Sequence, residues 1–295
     1  MCERDTVNEW TAEKGYDWSL NRRHFAALTA AGAVAACTRG AAANAGEGLR
    51  EDMVSIVTKD GTMDAFFVRP ASGSYPAVVT WPDIAGLREA FKVMARRLAG
   101  QGYAVLVANP YYRDTKVPQF EDFNAFRSQN GFEKVGPWRE KLTADAIGSD
   151  AGAMIGWLDK QDSVDSTRGV GTNGYCMGGP FTVFSAAAVP ERVRAAASFH
   201  GAGLAKEDDP QSPHRLLDKT RASFLFAIAQ NDDAKDPEAK VKLRAAAEAA
   251  GREAEIEVYP ADHGWCVIDS PAYDKAAAEK AWERMSVLFA EALKG

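Results

Sequence analysis

The sequence has little cysteine, with four residues in a chain of 295. A chain of this length can bury a large core without disulfide bonds, so the count indicates no disulfide framework. It also lacks an excess of positive charge, because the formal net charge is -6 and the pI is about 5.4. A mildly acidic surface argues against a general binder of nucleic-acid phosphates. No fixed-period repeat is present, which argues against solenoid and propeller architectures.

Long hydrophobic runs are missing as well. The strongest candidate, residues 25–36, is too short and too rich in alanine for a convincing membrane-spanning helix. It follows Arg22 and Arg23, and a charged region before an apolar region is the layout of a bacterial export signal. Paired arginines followed one residue later by Phe25 predict the twin-arginine route and a periplasmic location. An ordinary amphipathic or buried helix is the alternative interpretation.

Two processing sites fit this segment. The small residues 43–45, ANA, suit a peptidase that releases a soluble protein, whereas Cys37 at the end of VAAC resembles a lipid-attachment site. We favour release. Residues 1–45 are therefore predicted to be export signal and linker, and residues 46–295 a single domain without stable membrane insertion.

Beyond this segment, strand and helix patterns alternate along the chain. Residues 53–70 predict a β-hairpin with its turn at Asp60-Gly61, and residues 114–140 show no clear periodicity. Further strands are predicted at 75–81, 103–110, 168–174, 194–200, 223–229 and 255–260, and helices at 87–102, 142–161, 180–189, 237–251 and 273–294. Strand, helix, strand with short links is a βαβ unit. The pattern predicts an α/β domain with a mostly parallel central sheet of about seven to eight strands and helices on both faces.

The segment GYCMG, residues 174–178, lies between a predicted strand and a predicted helix. Glycine, any residue, nucleophile, any residue, glycine is the pattern of a nucleophile elbow, whose sharp turn leaves no room for side chains at Gly174 and Gly178. Cys176 would then lie at a helix N terminus, where backbone N–H groups favour an anion. The N–H of Met177 is expected to point toward a developing oxyanion. A glycine-rich turn around a small buried cysteine is the alternative.

Histidine is as scarce as cysteine, with four residues. His24 lies in the predicted signal, and His214 lies in a proline-flanked loop. His263 follows the last predicted strand and precedes the last helix, where this fold class carries its catalytic base, so we expect it to serve Cys176. His200, at the end of the strand after the elbow, is the rival base.

An acid that orients the histidine is expected between the nucleophile and the histidine, after the last strand but one. Three aspartates follow that strand: Asp232, Asp233 and Asp236. Asp232 comes first after a two-residue spacer and is preferred, with Asp233 as a close second. Asp236 is expected to cap the following helix.

Five motifs together resemble the dienelactone hydrolase family, the cysteine branch of the α/β-hydrolases. They are WPDIAGL, GYAVLVANPYYR, GYCMGG, QNDD and YPADHGW, in this order within residues 50–293. The resemblance implies an α/β-hydrolase fold and cleavage of a small-molecule ester or lactone, with no metal and no organic cofactor.

The same resemblance implies roles for further residues. In the family, an acidic residue contacts the resting cysteine, and Asp83 holds that position here, where the best-known members carry glutamate. Ile84 would supply the second oxyanion amide, while Arg113 and Trp265 would lie in the substrate site. A carboxylate-binding arginine is expected four residues after the catalytic histidine, but this sequence has Val267, which argues against dienelactone itself as substrate.

The sequence therefore predicts a Cys-His-Asp hydrolase that works through an acyl-thioester intermediate. Two other classes compete with this interpretation. Cys266 lies three residues after His263, so a disulfide with Cys176 would make a redox-gated thiol protein in an oxidising compartment. A binding protein with little chemistry on the same scaffold is the third class.

Overall fold

A long β-hairpin begins the described part of the chain, which comprises residues 48–294 of this computed structural model. Strands β1 (Leu49–Thr58) and β2 (Gly61–Pro70) pair antiparallel along their whole length. Their two-residue turn is Lys59-Asp60, one residue earlier than predicted, and Gly61, with a φ of 138°, begins β2 opposite Thr58. The predicted hairpin is confirmed and is longer at its start than the sequence pattern indicated.

The apolar runs form the six remaining strands of one sheet. They are β3 (Ala77–Trp81), β4 (Ala104–Val107), β5 (Val170–Tyr175), β6 (Val193–Phe199), β7 (Ser223–Ala229) and β8 (Ala254–Tyr259). The strand order is β1-β2-β4-β3-β5-β6-β7-β8. Strand β2 pairs antiparallel with both β1 and β4, and every other pair is parallel. The predicted, mostly parallel sheet of seven to eight strands is confirmed.

Nine α-helices and one 3₁₀ helix connect these strands in the described residues. They are α1 (Glu89–Ala99), α2 (Phe123–Ser128), α3 (Gly131–Lys134), α4 (Gly136–Arg139), α5 (Ala144–Leu158), α6 (Gly178–Ala188), the 3₁₀ helix Pro213–Lys219, α7 (Gln230–Lys235), α8 (Glu238–Ala250) and α9 (Lys275–Ala292).

Two apolar cores lie on opposite faces of the sheet, because successive side chains of a strand point to opposite sides. In β3, Val79 and Trp81 join one core and Val78 the other. Helices α5, α6 and α8 cover the first core, and α1 and α9 cover the second. Both faces are therefore buried, as the continuous apolar strands predicted.

The segment without clear periodicity contains three short helices, α2 to α4. Phe126 is buried at its centre, with its ring 5.1 Å from that of Phe120 and 4.7 Å from that of Phe132. The side chain of Asp122 accepts the N–H of Ala125 at 2.6 Å and caps α2. Aromatic packing and one cap thus organise a segment whose helices are too short to show periodicity.

The predicted export signal, residues 1–45, lies outside the described residues. Between residues 48 and 294, no helix combines the length and the apolar character needed to cross a membrane.

The carboxyl ends of five parallel strands meet at one edge of the sheet, where open α/β sheets bind their ligands. Strand β3 leads to Asp83, β5 to Cys176, β6 to His200, β7 to Asp232 and β8 to His263. The topology therefore gathers residues that are up to 180 positions apart in the sequence at one edge.

Close backbone approach explains both glycines of the elbow. A Cβ on Gly174 would lie 2.0 Å from the carbonyl oxygen of Gly178. A Cβ on Gly178 would lie 2.5 Å from the carbonyl oxygen of Trp81 and 2.6 Å from that of Pro82. Since backbone atoms cannot yield as a flexible side chain can, only glycine fits at either position.

We expect Gly178→Ala to lower the free energy of unfolding by about 1–3 kcal/mol or more, because the added methyl group overlaps the end of β3. Gly152→Ala is the matched control, since Gly152 is exposed in α5 and a Cβ there meets no atom within 4 Å. That substitution should raise the stability by about 0.5–1 kcal/mol through helix propensity. Urea unfolding of both variants measures the effect, and an unchanged value for Gly178→Ala would contradict the close approach.

Candidate active site

Cys176 lies at the top of the elbow in a strained backbone conformation. Its φ is 53°, in the left-handed region that residues other than glycine seldom adopt. Its N–H donates to the carbonyl oxygen of Phe199 at 3.0 Å, and its own carbonyl accepts the N–H of Gly179 at 3.0 Å. The thiol is partly exposed, and α6 begins two residues later. The turn thus presents the sulfur to solvent at a helix N terminus.

The structure brings Asp232 to His263. Oδ2 of Asp232 lies 2.6 Å from Nδ1 of His263, and the two side chains are 28% and 21% exposed. Asp233, the close second candidate, points elsewhere and pairs with Lys240 of α8 at 2.6 Å. Tertiary structure therefore selects Asp232 as the partner of the histidine.

Three further contacts tie the start of α7, directly after β7, to the loop after β8. The N–H of Gln230 donates to the carbonyl of Ala261 at 3.1 Å, and its side-chain amide donates to Asp262 at 3.1 Å. Oδ1 of Asn231 accepts the N–H of His263 at 2.9 Å. Sequence analysis missed this role of Asn231, although the residue lies within the QNDD motif. These contacts hold the histidine against its acid.

The cap predicted for Asp236 is wrong. Helix α8 begins at Glu238 with Pro237 as its N-cap residue, and no side chain accepts a hydrogen bond there. Proline at this position has a fixed φ that suits helix entry without a side-chain acceptor.

Cys176 and Asp232 both influence the pKa of the His263 imidazole. Burial by itself would lower its pKa, but the charge of the Cys176 thiolate, together with the hydrogen bond and charge of Asp232, outweighs burial and raises the pKa well above its ordinary value. Its Nε2 is buried and makes no hydrogen bond of ordinary geometry within residues 48–294. The raised pKa favours the imidazolium form of His263, whose Nε2 can pass a proton to a reacting group.

His200, the rival base, lies behind the backbone of Cys176. Its Nδ1 accepts the N–H of Cys176 at 3.1 Å, so the neutral ring carries its proton on Nε2. Burial, and secondarily the charge of His263, lowers the pKa of His200 well below its ordinary value. The two imidazole centroids are 4.7 Å apart. A buried neutral ring whose Nδ1 supports the elbow is suited to holding Cys176 in place, and the pairing with Asp232 favours His263 as the base.

Two backbone amides are available for an oxyanion. The N–H groups of Ile84 and Met177 donate to no described residue. The hydroxyl of Tyr111 donates to the carbonyl of Ile84 at 2.8 Å and lies 3.3 Å from Sδ of Met177. Burial raises the pKa of Tyr111, so the phenol remains a donor. Tyr111 thus links the two predicted oxyanion residues; it was missed from the sequence, although it lies in the PYYR motif.

Asp83 does not meet the cysteine in this structure. Its two carboxylate oxygens accept from Arg88 at 2.7 and 2.9 Å, and Oδ1 also accepts the N–H of Ala85 at 2.9 Å. Within residues 48–294, no hydrogen bond joins Asp83 to Cys176. The contact implied by the resemblance is therefore not made through a direct hydrogen bond, because a buried arginine holds the carboxylate.

Arg113 also has carboxylate partners. Its guanidinium binds Asp150 at 2.8 and 2.9 Å and Asp60 at 2.7 and 2.9 Å. These contacts join the hairpin turn to α5, and no residue of the Cys-His-Asp set is among its partners. The predicted contact between Arg113 and an anionic substrate stays a prediction.

Trp265 is fully buried. Its ring stacks on Tyr259 with centroids 5.3 Å apart and lies 5.1 Å from that of His200. A side chain with no exposed surface presents nothing to a substrate, so the structure does not support the predicted substrate contact. Val267, at the position where the resemblance implies an arginine, is also buried.

Both cysteines of the described region are free thiols. Cys266 lies in the core that α1 and α9 cover, and burial raises its pKa well above the ordinary value. A thiol that resists ionisation is a poor partner for disulfide exchange. Among residues 48–294, no three His, Cys, Asp or Glu side chains are grouped so that they could hold a metal ion.

The chain is similar in sequence to known proteins over most of its length. The sequence model of the dienelactone hydrolase family matches residues 63–293. A Salmonella typhi protein named "Putative carboxymethylenebutenolidase" is 29% identical over 244 residues, which cover 81% of this chain and 86% of that protein. A Bradyrhizobium protein named "Probable 2-oxo-3-(5-oxofuran-2-ylidene)propanoate lactonase" is 26% identical, and the match covers 80% of this chain and 92% of that protein.

Solved structures agree with this result. A Klebsiella pneumoniae crystal structure named "Putative Dienelactone Hydrolase" has a TM-score of 0.70 and 26% identity, and the match covers 83% of this chain and 99% of that one. The dienelactone hydrolase-like promiscuous phosphotriesterase P91 from metagenomic libraries has a TM-score of 0.65 and 22% identity, with 84% and 100% covered. At that identity, the second likeness shows the fold alone.

Replacing the sulfur should move the titration of His263. In Cys176→Ala the thiolate is gone, so burial is opposed by Asp232 alone, and the pKa of His263 should fall. NMR titration of the imidazole in the wild type and the variant measures the shift. Cys266→Ala is the matched control. Cys176 packs against the core that α5, α6 and α8 cover, whereas the buried Cys266 lies in the core on the opposite face of the sheet, so its loss should leave the titration of His263 unchanged. The same midpoint in Cys176→Ala as in the wild type would rule out the coupling.

Proposed function

Because the chain belongs to the dienelactone hydrolase family and is therefore a hydrolase of lactones or esters, we propose that Cys176 is its nucleophile, His263 its base and Asp232 the acid that orients the base. A binding protein without chemistry, the third class left open by the sequence, does not fit membership of this enzyme family. The redox-gated alternative is not favoured by any contact of Cys266.

One observation carries the proposal. Nδ1 of His263, the histidine that follows β8, lies 2.6 Å from Asp232, and its Nε2 is buried and makes no hydrogen bond of ordinary geometry within residues 48–294. The charge of Cys176 is one cause of the raised pKa of this imidazole. A carboxylate on one side of an imidazole and a nucleophile on the other is the arrangement that manages protons in acyl transfer.

The mechanism follows from these positions. The thiolate of Cys176 attacks the carbonyl carbon, and the oxyanion that forms is held by the N–H groups of Ile84 and Met177. Collapse of this intermediate breaks the bond to the leaving oxygen, which takes the proton from Nε2 of His263, and an acyl-thioester remains. His263 then accepts a proton from water, and the resulting hydroxide attacks the thioester. Expulsion of the thiolate releases the carboxylic acid and restores the resting pair.

The proposed substrate is an enol lactone or another ester with a good leaving group. Water attacks thioesters more slowly than an efficient site requires, so a substrate that is strained or activates itself suits a thiol nucleophile. Val267 is buried and uncharged at the position where the family carries an arginine for the substrate carboxylate, and this supports a substrate other than dienelactone itself.

We further propose that residues 1–45 direct export by the twin-arginine route and that the enzyme works in the periplasm. The paired Arg22 and Arg23 before an apolar stretch support this proposal. Intact mass of the protein from the periplasm of its native host is expected to match a chain that begins after residue 45. A lipid on Cys37 would replace soluble release by anchoring, and a full-length chain confined to the cytoplasm would contradict export.

Substitution of the two neighbouring aspartates separates catalysis from folding. Asp232→Asn should lower kcat by about 10²–10⁴-fold, because the imidazole loses the group that fixes its tautomer and stabilises its cation. Asp233→Asn is the matched control: it removes a carboxylate one residue away that pairs with Lys240, and kcat should stay within about 2-fold. Steady-state and burst kinetics on enol lactones and aryl esters measure both variants. Equal losses in the two variants would exclude Asp232 from the triad.

Substrate preference is tested in the wild type by the same kinetics. An aryl ester should show a burst of product followed by slow turnover, since deacylation limits the rate, whereas an enol lactone should turn over rapidly. Rapid turnover of both substrates alike would count against the proposed class.

A further inference from the structure

One buried cation binds two carboxylates beside the site. The side chain of Arg88, at the start of α1, is 0% exposed, and those of Asp83 and Asp269 are 4% and 15% exposed. Its Nη1 and Nη2 donate to the two oxygens of Asp83 at 2.7 and 2.9 Å. Its Nε and Nη2 donate to the two oxygens of Asp269 at 2.7 Å each, and Nη1 also donates to the carbonyl of Gly86 at 3.2 Å. Every guanidinium nitrogen is therefore engaged.

The two carboxylates belong to segments that are far apart in sequence. Asp83 directly precedes Ile84, whereas Asp269 lies six residues after His263. Oδ2 of Asp269 also accepts the N–H of Phe123, at the start of α2. Arg88 therefore joins the loop after β3, the loop after β8 and the three short helices between β4 and α5.

The hydrogen bonds of Arg88 with Asp83 act on the peptide next to the N–H of Ile84, the proposed oxyanion donor. Asp83, held by Arg88, accepts the N–H of Ala85, and Tyr111 donates to the carbonyl of Ile84. The peptide that follows Ile84 is thus fixed at its N–H and at its carbonyl. The preceding peptide, which carries the Ile84 N–H, is held on its other side because the carbonyl of Asp83 accepts the N–H of Gly86 at 3.0 Å. The direction of the Ile84 N–H is therefore set by this turn together with the side chains of Asp83 and Tyr111.

We propose that Arg88 is a positioning residue of this hydrolase, which fixes the Ile84 amide relative to the loop that carries His263. The inference rests on the proposed Cys176 mechanism, since the amide matters only if an oxyanion forms there. Arg88 does not touch the reacting atoms itself. It also withholds Asp83 from the nucleophile, because both oxygens of that carboxylate are occupied.

Only arginine meets these demands. A planar guanidinium can bind two carboxylates in the forked geometry at once, whereas an ammonium group is a point charge without that direction. Burial disfavours the cation, but the charges and hydrogen bonds of Asp83 and Asp269 outweigh it and raise the pKa of Arg88, so the group stays charged. Lysine at this position would keep the charge and lose the fork.

Two reactions of the Cys176 sulfur distinguish a positioning role of Arg88 from an effect on stability alone. Alkylation of Cys176 by iodoacetamide needs the thiolate but no oxyanion site, whereas acylation by an aryl ester needs both. In Arg88→Lys, we expect the acylation rate to fall about 10- to 100-fold relative to the alkylation rate, somewhat less than loss of an oxyanion donor outright. Asp269→Asn should lower the same ratio by a smaller factor, and it decides the matter if Arg88→Lys does not fold.

Arg97→Lys is the matched control. Arg97 lies in α1, the helix that Arg88 directly precedes, and makes a forked pair with Glu279 over the ring of Trp282, on the surface between α1 and α9. Its replacement should leave the ratio of the acylation rate to the alkylation rate unchanged, even if the melting temperature drops. A fall of the ratio in Arg88→Lys or Asp269→Asn, but not in Arg97→Lys, supports positioning.

The outcomes separate the inference from the mechanism on which it rests. If wild-type protein is acylated and the ratio is unchanged in folded Arg88→Lys and Asp269→Asn, Arg88 is structural only and the inference is overturned. If the wild-type protein is alkylated but shows no acyl burst, the Cys176 mechanism fails, and the role of Arg88 fails with it.

Discussion

The candidate site depends on the close contact between the elbow and the end of β3. Gly178 lies against the carbonyl groups of Trp81 and Pro82 with no space for a side chain. This contact brings the start of α6, and with it Cys176, next to the loop that carries Ile84. The proposed nucleophile and a proposed oxyanion donor, which follow different strands, therefore become neighbours through backbone packing, which tolerates very little displacement.

Charge at this edge of the sheet is paired in two separate groups. His263 is held between Asp232 and Cys176, and Arg88 is held between two carboxylates. Removing one partner of a buried pair typically costs about 3–5 kcal/mol, because the other charge is left without compensation. The second group keeps the buried Asp83 carboxylate paired with a cation next to the residue that carries the proposed oxyanion amide.

Much of this arrangement could be predicted because it is local in sequence. Apolar runs mark the strands, glycine spacing marks the elbow, and the chain order of nucleophile, acid and histidine points to Asp232 and His263. The roles that the resemblance implied for individual side chains agree less well with the structure. Arg113 and Trp265 lie where the motifs place them, but their side chains contact Asp60, Asp150 and the core. Which partner a side chain meets depends on residues far away in the sequence, and a motif does not contain them.

The sequence by itself determined the order of strands and helices, the α/β class, the family and the short set of residues from which a catalytic site could be built. Only the tertiary structure decided between Asp232 and Asp233, assigned His200 to the backbone of the elbow and gave Asp83 to Arg88. The physical reason is separation along the chain. Hydrogen bonds of 2.6–3.1 Å between groups 24 to 181 residues apart are set by how strands align in the sheet, and no local pattern records that alignment.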